Sequence, residues 1–285
     1  MKNFVYPKTE RTGLGNMLFC WARAEVFARA HDLPILAPQW AKFNRLGPWA
    51  RREKDKRYYI NLFSNTGYVT GCSRWWILLT KRRLPESGFL QNNQFASAKG
   101  GGTVVFEFTG MEDFFAPFLS SQVYIRERLY AIVHPKITAS VEASVSTPFM
   151  GVHIRRGDFK RNGHAIPLEW YARAIDFAKS NIKIDGVDVK ELPVRVFTDD
   201  VPGAMEFFKA QITNLEVMPN TSALQDLLSL SKASLVIGTS RSTFSMWAVF
   251  LGQMPSVWHP SDIPPRMLVK ENEVPYIYDG CNGRQ

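Results

Sequence analysis

The sequence has few cysteines and no long apolar segment. Cys20, Cys72 and Cys281 are the only cysteines among 285 residues, and this odd, widely spaced set predicts neither a disulfide framework nor a metal site. The first residues, MKNFVYP, carry a charge but lack the apolar stretch of a signal peptide. No segment approaches the ~18 apolar residues that a membrane span requires. These absences predict a cytoplasmic protein.

The charge is unbalanced towards the basic side. Lys and Arg number 35 against 26 Asp and Glu, which gives a net charge of +9. A nucleic acid, an anionic membrane surface or a polyanionic small ligand would all suit that charge. The basic residues are dispersed and form no motif for RNA or DNA binding, so no nucleic acid partner is predicted. At 45% hydrophobic residues, the chain can form one large domain or two ordinary ones.

One short apolar run has basic residues on both sides. Trp75-Trp76-Ile77-Leu78-Leu79 lies between Arg74 and Lys81-Arg82-Arg83 and is too short to span a membrane. The pattern favours a buried helix or strand followed by a solvated basic segment. The alternative is an element at a lipid interface, in peripheral contact with the anionic inner face of the membrane.

Predicted strands and helices alternate along the chain, which is typical of an α/β fold with parallel sheets. In the first half we expect a helix over 17–31, irregular structure over 64–102, and strands near Phe4 and over 33–37, 58–63 and 103–108. The small, polar, proline-ended segment 140–148 predicts a domain boundary. The two predicted domains are residues 1–145 and 146–285.

In the second half, strands are predicted over 150–154, 194–198, 215–218, 235–238 and 256–258. Ligands bind beyond the carboxyl ends of parallel strands, and three of the segments that follow strands are unusually polar. They are His153-Ile154-Arg155-Arg156-Gly157-Asp158, Thr198-Asp199-Asp200, and Gly238-Thr239-Ser240-Arg241-Ser242-Thr243-Phe244.

The first and third of these segments suit an anionic ligand. The adjacent guanidinium groups of Arg155 and Arg156 can hold the oxygens of a diphosphate by paired hydrogen bonds; the alternative is a surface ion pair between Arg156 and Asp158. The third segment begins a helix, whose N–H groups can bind an anion. Ordinary capping of that helix by Ser240 or Ser242 is the competing interpretation.

The aspartates of the middle segment and a glycine loop near the start are less specific. Asp199 or Asp200 could accept hydrogen bonds from a guanine ring or cap the following helix. No further cluster supplies ligands for a metal, so none is predicted. The loop Thr12-Gly13-Leu14-Gly15-Asn16 lacks the third glycine of a dinucleotide fingerprint and the lysine of a P-loop.

Together these segments resemble the α-1,2-fucosyltransferases, glycosyltransferase family 11, within a wider group that includes the α-1,6- and protein O-fucosyltransferases. The hallmark His-x-Arg-Arg-x-Asp stands at 153–158. The family's Phe-Ser-Asp-Asp block appears as Phe-Thr-Asp-Asp at 197–200, and its Gly-Gly-Leu-Gly-Asn start appears as Thr-Gly-Leu-Gly-Asn at 12–16. The longest block runs from Asp226-Leu227-Leu228-Ser229 to Ser242-Thr243-Phe244-Ser245-Met246-Trp247. A fainter match covers 110–115.

The resemblance implies a GT-B architecture, in which two Rossmann-like lobes with parallel sheets face a cleft. Residues 146–285 would hold GDP-fucose, and residues 1–145 an oligosaccharide or lipid-linked glycan acceptor. The implied reaction is an inverting transfer of fucose, to galactose O2, with no metal or other cofactor. Segments 17–21 and 246–247 depart from the family pattern, so transfer of another GDP-linked sugar or formation of another linkage stays open. A non-catalytic glycan-binding protein is a more distant alternative.

By the same resemblance, Arg155 would bind the β-phosphate, with support from His153 and Arg156. Asn16, which follows Gly13 and Gly15, would face the donor from the other lobe. The remaining assignments are guanine recognition by Asp200 beside Asp199, nucleotide contacts by Ser240, Ser242, Thr243 and Phe244, and Glu112, Asp113 or Asp158 as general base.

Overall fold

The computed structural model describes residues 2–9, 12–40, 58–90, 102–209, 211–219, 221–261, 276–280 and 283–284. The chain divides into two compact units, Met1–Pro135 and Lys136–Gln285. The boundary predicted from sequence lies after residue 145, within the segment 140–148. The structure instead puts residues 140–144 in a helix, Pro135–Ser144, which Val141 anchors by burying its side chain.

In the first unit a three-stranded parallel sheet has the order β1-β3-β2. Phe4 of β1 lies opposite Val105 of β3, and Arg82 of β2 lies opposite Val104. The elements are β1 (Phe4–Pro7), α1 (Leu14–His31), α2 (Gly71–Thr80), β2 (Arg82–Pro85), α3 (Glu86–Leu90), β3 (Val104–Phe108) and α4 (Gln122–Ile132), with 3-10 segments at Ile60–Leu62 and Ala116–Ser121.

Helix α1 packs on the sheet and is buried over most of its circumference. It ends where Asp32 adopts a left-handed conformation with φ of 49°, and the N–H groups of Asp32 and Leu33 donate to carbonyls of the last turn. Pro34 follows and cannot continue the helix. Arg29 and His31 in the last turn complement the helix dipole.

Three expectations for the first unit were wrong or incomplete. Residues 60–62 form a 3-10 turn instead of a strand, and the segment 33–37 forms only isolated bridges, from Ile35 to Val5 and from Leu36 to Val69. The supposedly irregular segment 64–102 contains α2, β2 and α3; residues 91–101 lie outside the described part. The run 75–79 was predicted to be a buried helix or strand, but the full helix was not delimited, because apolar side chains on both of its faces obscure the helical period.

The second unit is built on a larger sheet with the order β10-β9-β8-β7-β4-β5-β6, parallel except for the pairing of β10 with β9. All five strands predicted for this half are confirmed. The elements are α5 (Pro135–Ser144), β4 (Met150–Ile154), α6 (Gly157–Arg161), α7 (Leu168–Asn181), β5 (Val194–Thr198), α8 (Val201–Phe208), β6 (Leu215–Val217), α9 (Ala223–Leu230), β7 (Leu235–Gly238), α10 (Thr243–Gly252), β8 (Ser256–Trp258), β9 (Tyr276–Tyr278) and β10 (Gly283–Arg284). Elements α6, β9 and β10 were not predicted from the sequence.

Strand β4 lies at the centre of this sheet, and all its residues are buried. Helix α7 covers one side of the sheet with Leu168, Tyr171, Ile175 and Ala178, which recur every three or four residues along one helical face. Strand β4 is therefore held by neighbouring strands on both edges. The polar residues that follow it emerge at its carboxyl end. Among the helices that the structure describes, none is long and apolar enough to cross a bilayer.

Candidate functional site

The three polar segments meet at one edge of the second unit's sheet. Strand β4 lies between β5 and β7, with Ile154 opposite Thr198 and Val152 opposite Ile237. All three strands are parallel, so their carboxyl ends lie side by side. The convergence predicted for the segments after residues 154, 198 and 238 is therefore present, and it depends on this register.

Arg155 and Asp199 form an ion pair at this edge. Arg155 Nη1 lies 3.3 Å from Asp199 Oδ2, and the arginine side chain is 37% exposed. Asp199 also accepts hydrogen bonds from the backbone N–H groups of Arg156, at 2.8 Å, and Gly157, at 3.1 Å. The carboxylate thus caps α6 while it orients the Arg155 guanidinium, which remains accessible to a ligand.

Arg156 pairs with Asp200. Asp200 Oδ2 accepts from Arg156 Nε at 3.1 Å and from Lys160 Nζ at 2.8 Å, and Oδ1 accepts from the N–H of Gly203 at the start of α8. The Lys160 hydrogen bond is the main reason that the pKa of Asp200 is lowered. The side chain of Asp158 is outside the described part of the structure.

Thr239 connects the strands behind these charged groups. Its fully buried hydroxyl donates to the carbonyl of His153 at 2.7 Å and accepts from the N–H of Arg155 at 3.1 Å. Tyr171 of α7 contributes its hydroxyl to the same oxygen at 2.9 Å, and burial raises the pKa of that phenol, so it remains protonated. Thr239 therefore fixes the backbone from which the Arg155 side chain projects.

His153 is a buried, neutral imidazole. Burial, with a smaller contribution from the Arg155 charge, lowers its pKa to about 3. Its Nδ1 lies 2.7 Å from Ser245 Oγ, and its ring stacks on Phe244 with centroids 4.7 Å apart. At neutral pH this residue supports the site by packing and hydrogen bonding, and it contributes no positive charge.

The segment after β7 leads into α10 without a side-chain cap. Ser242 is the N-cap residue, but its hydroxyl makes no capping hydrogen bond. The hydroxyl of Ser240 donates instead to the carbonyl of His259 at 2.7 Å. Capping by either serine, the competing interpretation, is therefore not what the structure shows. Thr243 and Phe244 occupy the first turn of the helix, where N–H groups and the helix dipole favour an anion.

The remaining predicted residues belong to the first unit. Helix α1 begins three residues before its predicted start, with Gly13 as N-cap, so Gly15 and Asn16 lie in its first turn. This helix also lacks a side-chain cap. Glu112 and Asp113 are exposed in a turn where Asp113 has a φ of 52°.

Within the residues that the structure describes, no group of three or more His, Cys, Asp or Glu side chains is placed to hold a metal ion. Positive charge at the strand edge comes from Arg155, Arg156 and Lys160 instead. The chemistry available there is the binding of an anion by guanidinium groups and helix N–H groups.

Sequence reasoning missed three residues that build this site. Lys160 follows the arginine motif by one helical turn, a spacing that could have indicated its contact with Asp200. Thr239 and Tyr171 could not be recognised from the sequence, because no local sequence pattern marks a buried hydroxyl group that bridges a helix and two strands.

Two sequence comparisons identify relatives. The model of glycosyl transferase family 11 matches residues 91–258, more than half of the chain. The O-antigen biosynthesis glycosyltransferase WbnK of Escherichia coli is 28% identical over 207 residues. That match covers 68% of this chain and 65% of WbnK, so the chain spans just under two thirds of this relative.

Solved structures with the same fold include fucosyltransferases. The NodZ α-1,6-fucosyltransferase of Bradyrhizobium, soaked with GDP-fucose, has a TM-score of 0.56 at 18% identity, over 93% of this chain and 97% of NodZ. POFUT1 in complex with GDP-fucose has a TM-score of 0.58 at 14% identity, over 90% of this chain and 98% of POFUT1. These likenesses confirm the α/β fold of GT-B type.

Proposed function

The chain belongs to glycosyl transferase family 11, and on that premise we propose that it transfers fucose from GDP-fucose to a hydroxyl group of a glycan. Two observations support the donor. Proteins with this fold have been solved with GDP-fucose, and the second unit has an edge suited to a nucleotide diphosphate. The proposal assigns the donor to the second unit and the acceptor to the first.

The observation that carries the proposal is the accessible guanidinium of Arg155 beside the uncapped start of α10. The charged group comes from the end of β4, and the helix follows β7, the neighbouring strand. The guanidinium of Arg155 has five N–H donors, and its side chain is 37% exposed beside the ion pair with Asp199. Arg155 can therefore bind a phosphate oxygen while the ion pair keeps it oriented.

Arg155 would act on the leaving group. When the acceptor oxygen attacks the anomeric carbon with inversion, the bond to the diphosphate breaks and negative charge accumulates on the departing GDP. A preorganised cation at that position stabilises the transition state more than the ground state. Neutral His153 supports this arrangement by holding Phe244 and Ser245 in place.

The proposed acceptor is an oligosaccharide or lipid-linked glycan with a terminal galactose, whose O2 would be the attacking atom. The name of the relative WbnK, an O-antigen biosynthesis glycosyltransferase, supports a glycan acceptor. Glu112, Asp113 and Asp158 are the candidate bases for removal of the hydroxyl proton. Replacement of each by its amide would identify a base through loss of turnover with GDP binding retained.

The decisive experiment combines binding and transfer. Calorimetric titration of the wild-type protein with GDP, GDP-fucose, GDP-mannose and UDP should show binding of the guanine nucleotides and not of UDP. Transfer is then assayed with GDP-fucose and galactose-terminated oligosaccharides, without added metal and with chelator. Absence of binding to any guanine nucleotide would refute the proposal, whereas transfer only from GDP-mannose would replace fucose by another GDP-linked sugar.

A further inference from the structure

Helix α2 exposes large apolar side chains to solvent. Leu79 is 77% exposed, Trp76 66% and Trp75 54%, and the first two values are the highest among the large apolar side chains of the described residues. The spacing of three and four residues puts these side chains on one helical face. Ile77 and Leu78 are buried on the opposite face, against the sheet. The helix is therefore apolar on both sides, and only one side is covered by the first unit.

This exposed face is not explained by packing within the unit. Trp75 contacts the guanidinium of Arg74, which lies 4.8 Å from the ring centroid, and Arg74 is itself buried with its Nε donating to Ala37. This cation–π contact covers only one face of the Trp75 ring. Contiguous apolar patches of this kind are uncommon on monomeric proteins and mark sites of interaction.

The charge around the helix indicates the kind of surface that would cover it. Residues 71–85 contain no Asp or Glu but include Arg74, Lys81, Arg82 and Arg83. Arg83 is committed to the fold, since its Nη2 donates to the carbonyl of Leu78 at 2.6 Å. Within the described residues, neither Lys81 nor Arg82 has an ion-pair partner.

A further cation lies at the same edge of the sheet. Lys81 leads directly from α2 into β2, and Lys2 comes just before β1. Both strands run parallel to β3, with Arg82 opposite Val104 and Phe4 opposite Val105. Lys2, Lys81 and Arg82 therefore form a basic border at the end of the sheet where α2 terminates.

We propose that α2 and this border dock the first unit on an anionic membrane surface. Tryptophan rings suit the level of the headgroups, and Leu79 the acyl chains just below. Lys81 and Arg82 would meet anionic headgroups, each cation near such a surface adding about 1 kcal/mol. An acidic protein partner could pair with the cations, but it would not account for the exposed tryptophan rings that lie beside them. The docking proposal is independent of the proposed fucosyl transfer and applies whichever sugar the protein transfers.

Flotation of the full chain with lipid vesicles tests the proposal. Wild type should bind vesicles of equimolar phosphatidylcholine and phosphatidylglycerol, bind weakly to phosphatidylcholine alone, and dissociate as salt is raised. Trp76→Gln/Leu79→Gln should weaken binding at least about tenfold through lost apolar burial. Lys81→Glu/Arg82→Glu should weaken it roughly 30-fold or more.

Matched variants control for general effects of polarity and charge. Val123→Gln/Met205→Gln replaces two apolar side chains of similar exposure elsewhere, and Lys183→Glu/Lys190→Glu reverses two exposed cations of the second unit. Both should bind vesicles as wild type does. The variants change exposed residues and the half-buried Lys81, so their melting temperatures should stay close to that of wild type.

A label on the helix gives a second measurement. Cys72 is exposed on the same face of α2, whereas Cys20 is buried. In a Cys281→Ser background, an environment-sensitive fluorophore on Cys72 should shift to the blue when anionic vesicles are added.

Failure of wild type to bind anionic vesicles would overturn the proposal, as would equal losses in the control variants. A dimer that Trp76→Gln/Leu79→Gln abolishes, seen by light scattering in the absence of vesicle binding, would also overturn it and identify a second copy as the occupant.

Discussion

Each unit contains an arginine paired with a carboxylate, and the two pairs differ in what else the arginine can reach. In the first unit Arg23 is 2% exposed and donates through Nε and Nη2 to both oxygens of Glu86, at 2.9 and 3.0 Å. Its Nη2 also donates to the carbonyl of Thr109 at 2.6 Å. In the second unit Arg155 is 37% exposed and makes a 3.3 Å contact with Asp199.

The same pair of residue types therefore serves two purposes. Arg23 is enclosed by protein acceptors and ties α1 to α3 and to the segment after β3. Arg155 is anchored on one side and accessible on the other, at a strand end beside a helix start. Burial distinguishes a structural arginine from one that can bind a ligand, whereas the residue type does not.

The largest effect should come from Arg23→Ala. The variant leaves Glu86, whose side chain is 12% exposed, without its partner, in a place where burial already raises the pKa of that carboxyl. Loss of one member of a buried pair typically costs about 3–5 kcal/mol, measured here by denaturant unfolding. Arg23→Ala/Glu86→Leu should recover part of the loss, because no buried charge remains. Unchanged stability of the single variant would show that the pair is not structural.

The next effect separates the two arginines. Arg155→Ala should reduce fucosyl transfer about 100-fold or more, because the leaving diphosphate loses its cation, while the melting temperature stays near that of wild type. Arg126→Ala, which removes an exposed arginine of α4, should leave both quantities unchanged. Full transfer activity in purified Arg155→Ala would refute the role given to this guanidinium.

The strands of the second unit and the position of Arg155 could be predicted from sequence for a physical reason. Buried parallel strands are short apolar runs, and the polar residues that follow them must emerge at one edge. The family resemblance added the GT-B fold, which the solved structures confirm. The placement of Arg155 at the strand end follows from the register of β4 with its neighbours.

Other features had no local pattern to reveal them. The Arg23–Glu86 pair joins residues 63 positions apart, and the Tyr171–Thr239 hydrogen bond joins residues 68 positions apart; only tertiary packing brings them together. The run 75–79 was interpreted as buried in preference to lying at a lipid interface, because an apolar surface that faces outward cannot be told from a core by composition. Asp200 was assigned to guanine, but the structure shows it engaged with Arg156 and Lys160, so its contact with a base remains a prediction.

A smaller effect is expected from a variant that tests whether the protein holds Arg155 in place before a ligand binds. Thr239→Val keeps the shape of the side chain but leaves the N–H of Arg155, the carbonyl of His153 and the Tyr171 hydroxyl without their common partner. Unfolding experiments should show a loss of about 1–3 kcal/mol, and calorimetry a weaker affinity for GDP.

Two further variants calibrate that loss. Tyr171→Phe removes one of the three contacts and should cost about 0.5–1.5 kcal/mol. Thr80→Val removes an exposed hydroxyl that donates to the carbonyl of Trp76 and should leave stability and GDP affinity near their wild-type values. If Thr239→Val bound GDP as wild type does, the position of Arg155 would not depend on this hydroxyl.

The most gradual effect concerns pH and the neutral state of His153. Its pKa is about 3 in the folded protein and about 6.5 when unfolded, so between these values the unfolded chain binds one more proton. The free energy of unfolding should therefore decrease as the pH falls below ~6.5, by up to about 1.4 kcal/mol per pH unit from this residue. Urea unfolding of wild type and His153→Gln between pH ~7 and ~5 isolates the contribution, since the other titrating groups are common to both. The variant should show the shallower slope, and equal slopes would mean that His153 accepts a proton in the folded protein and can add positive charge beside Arg155 after all.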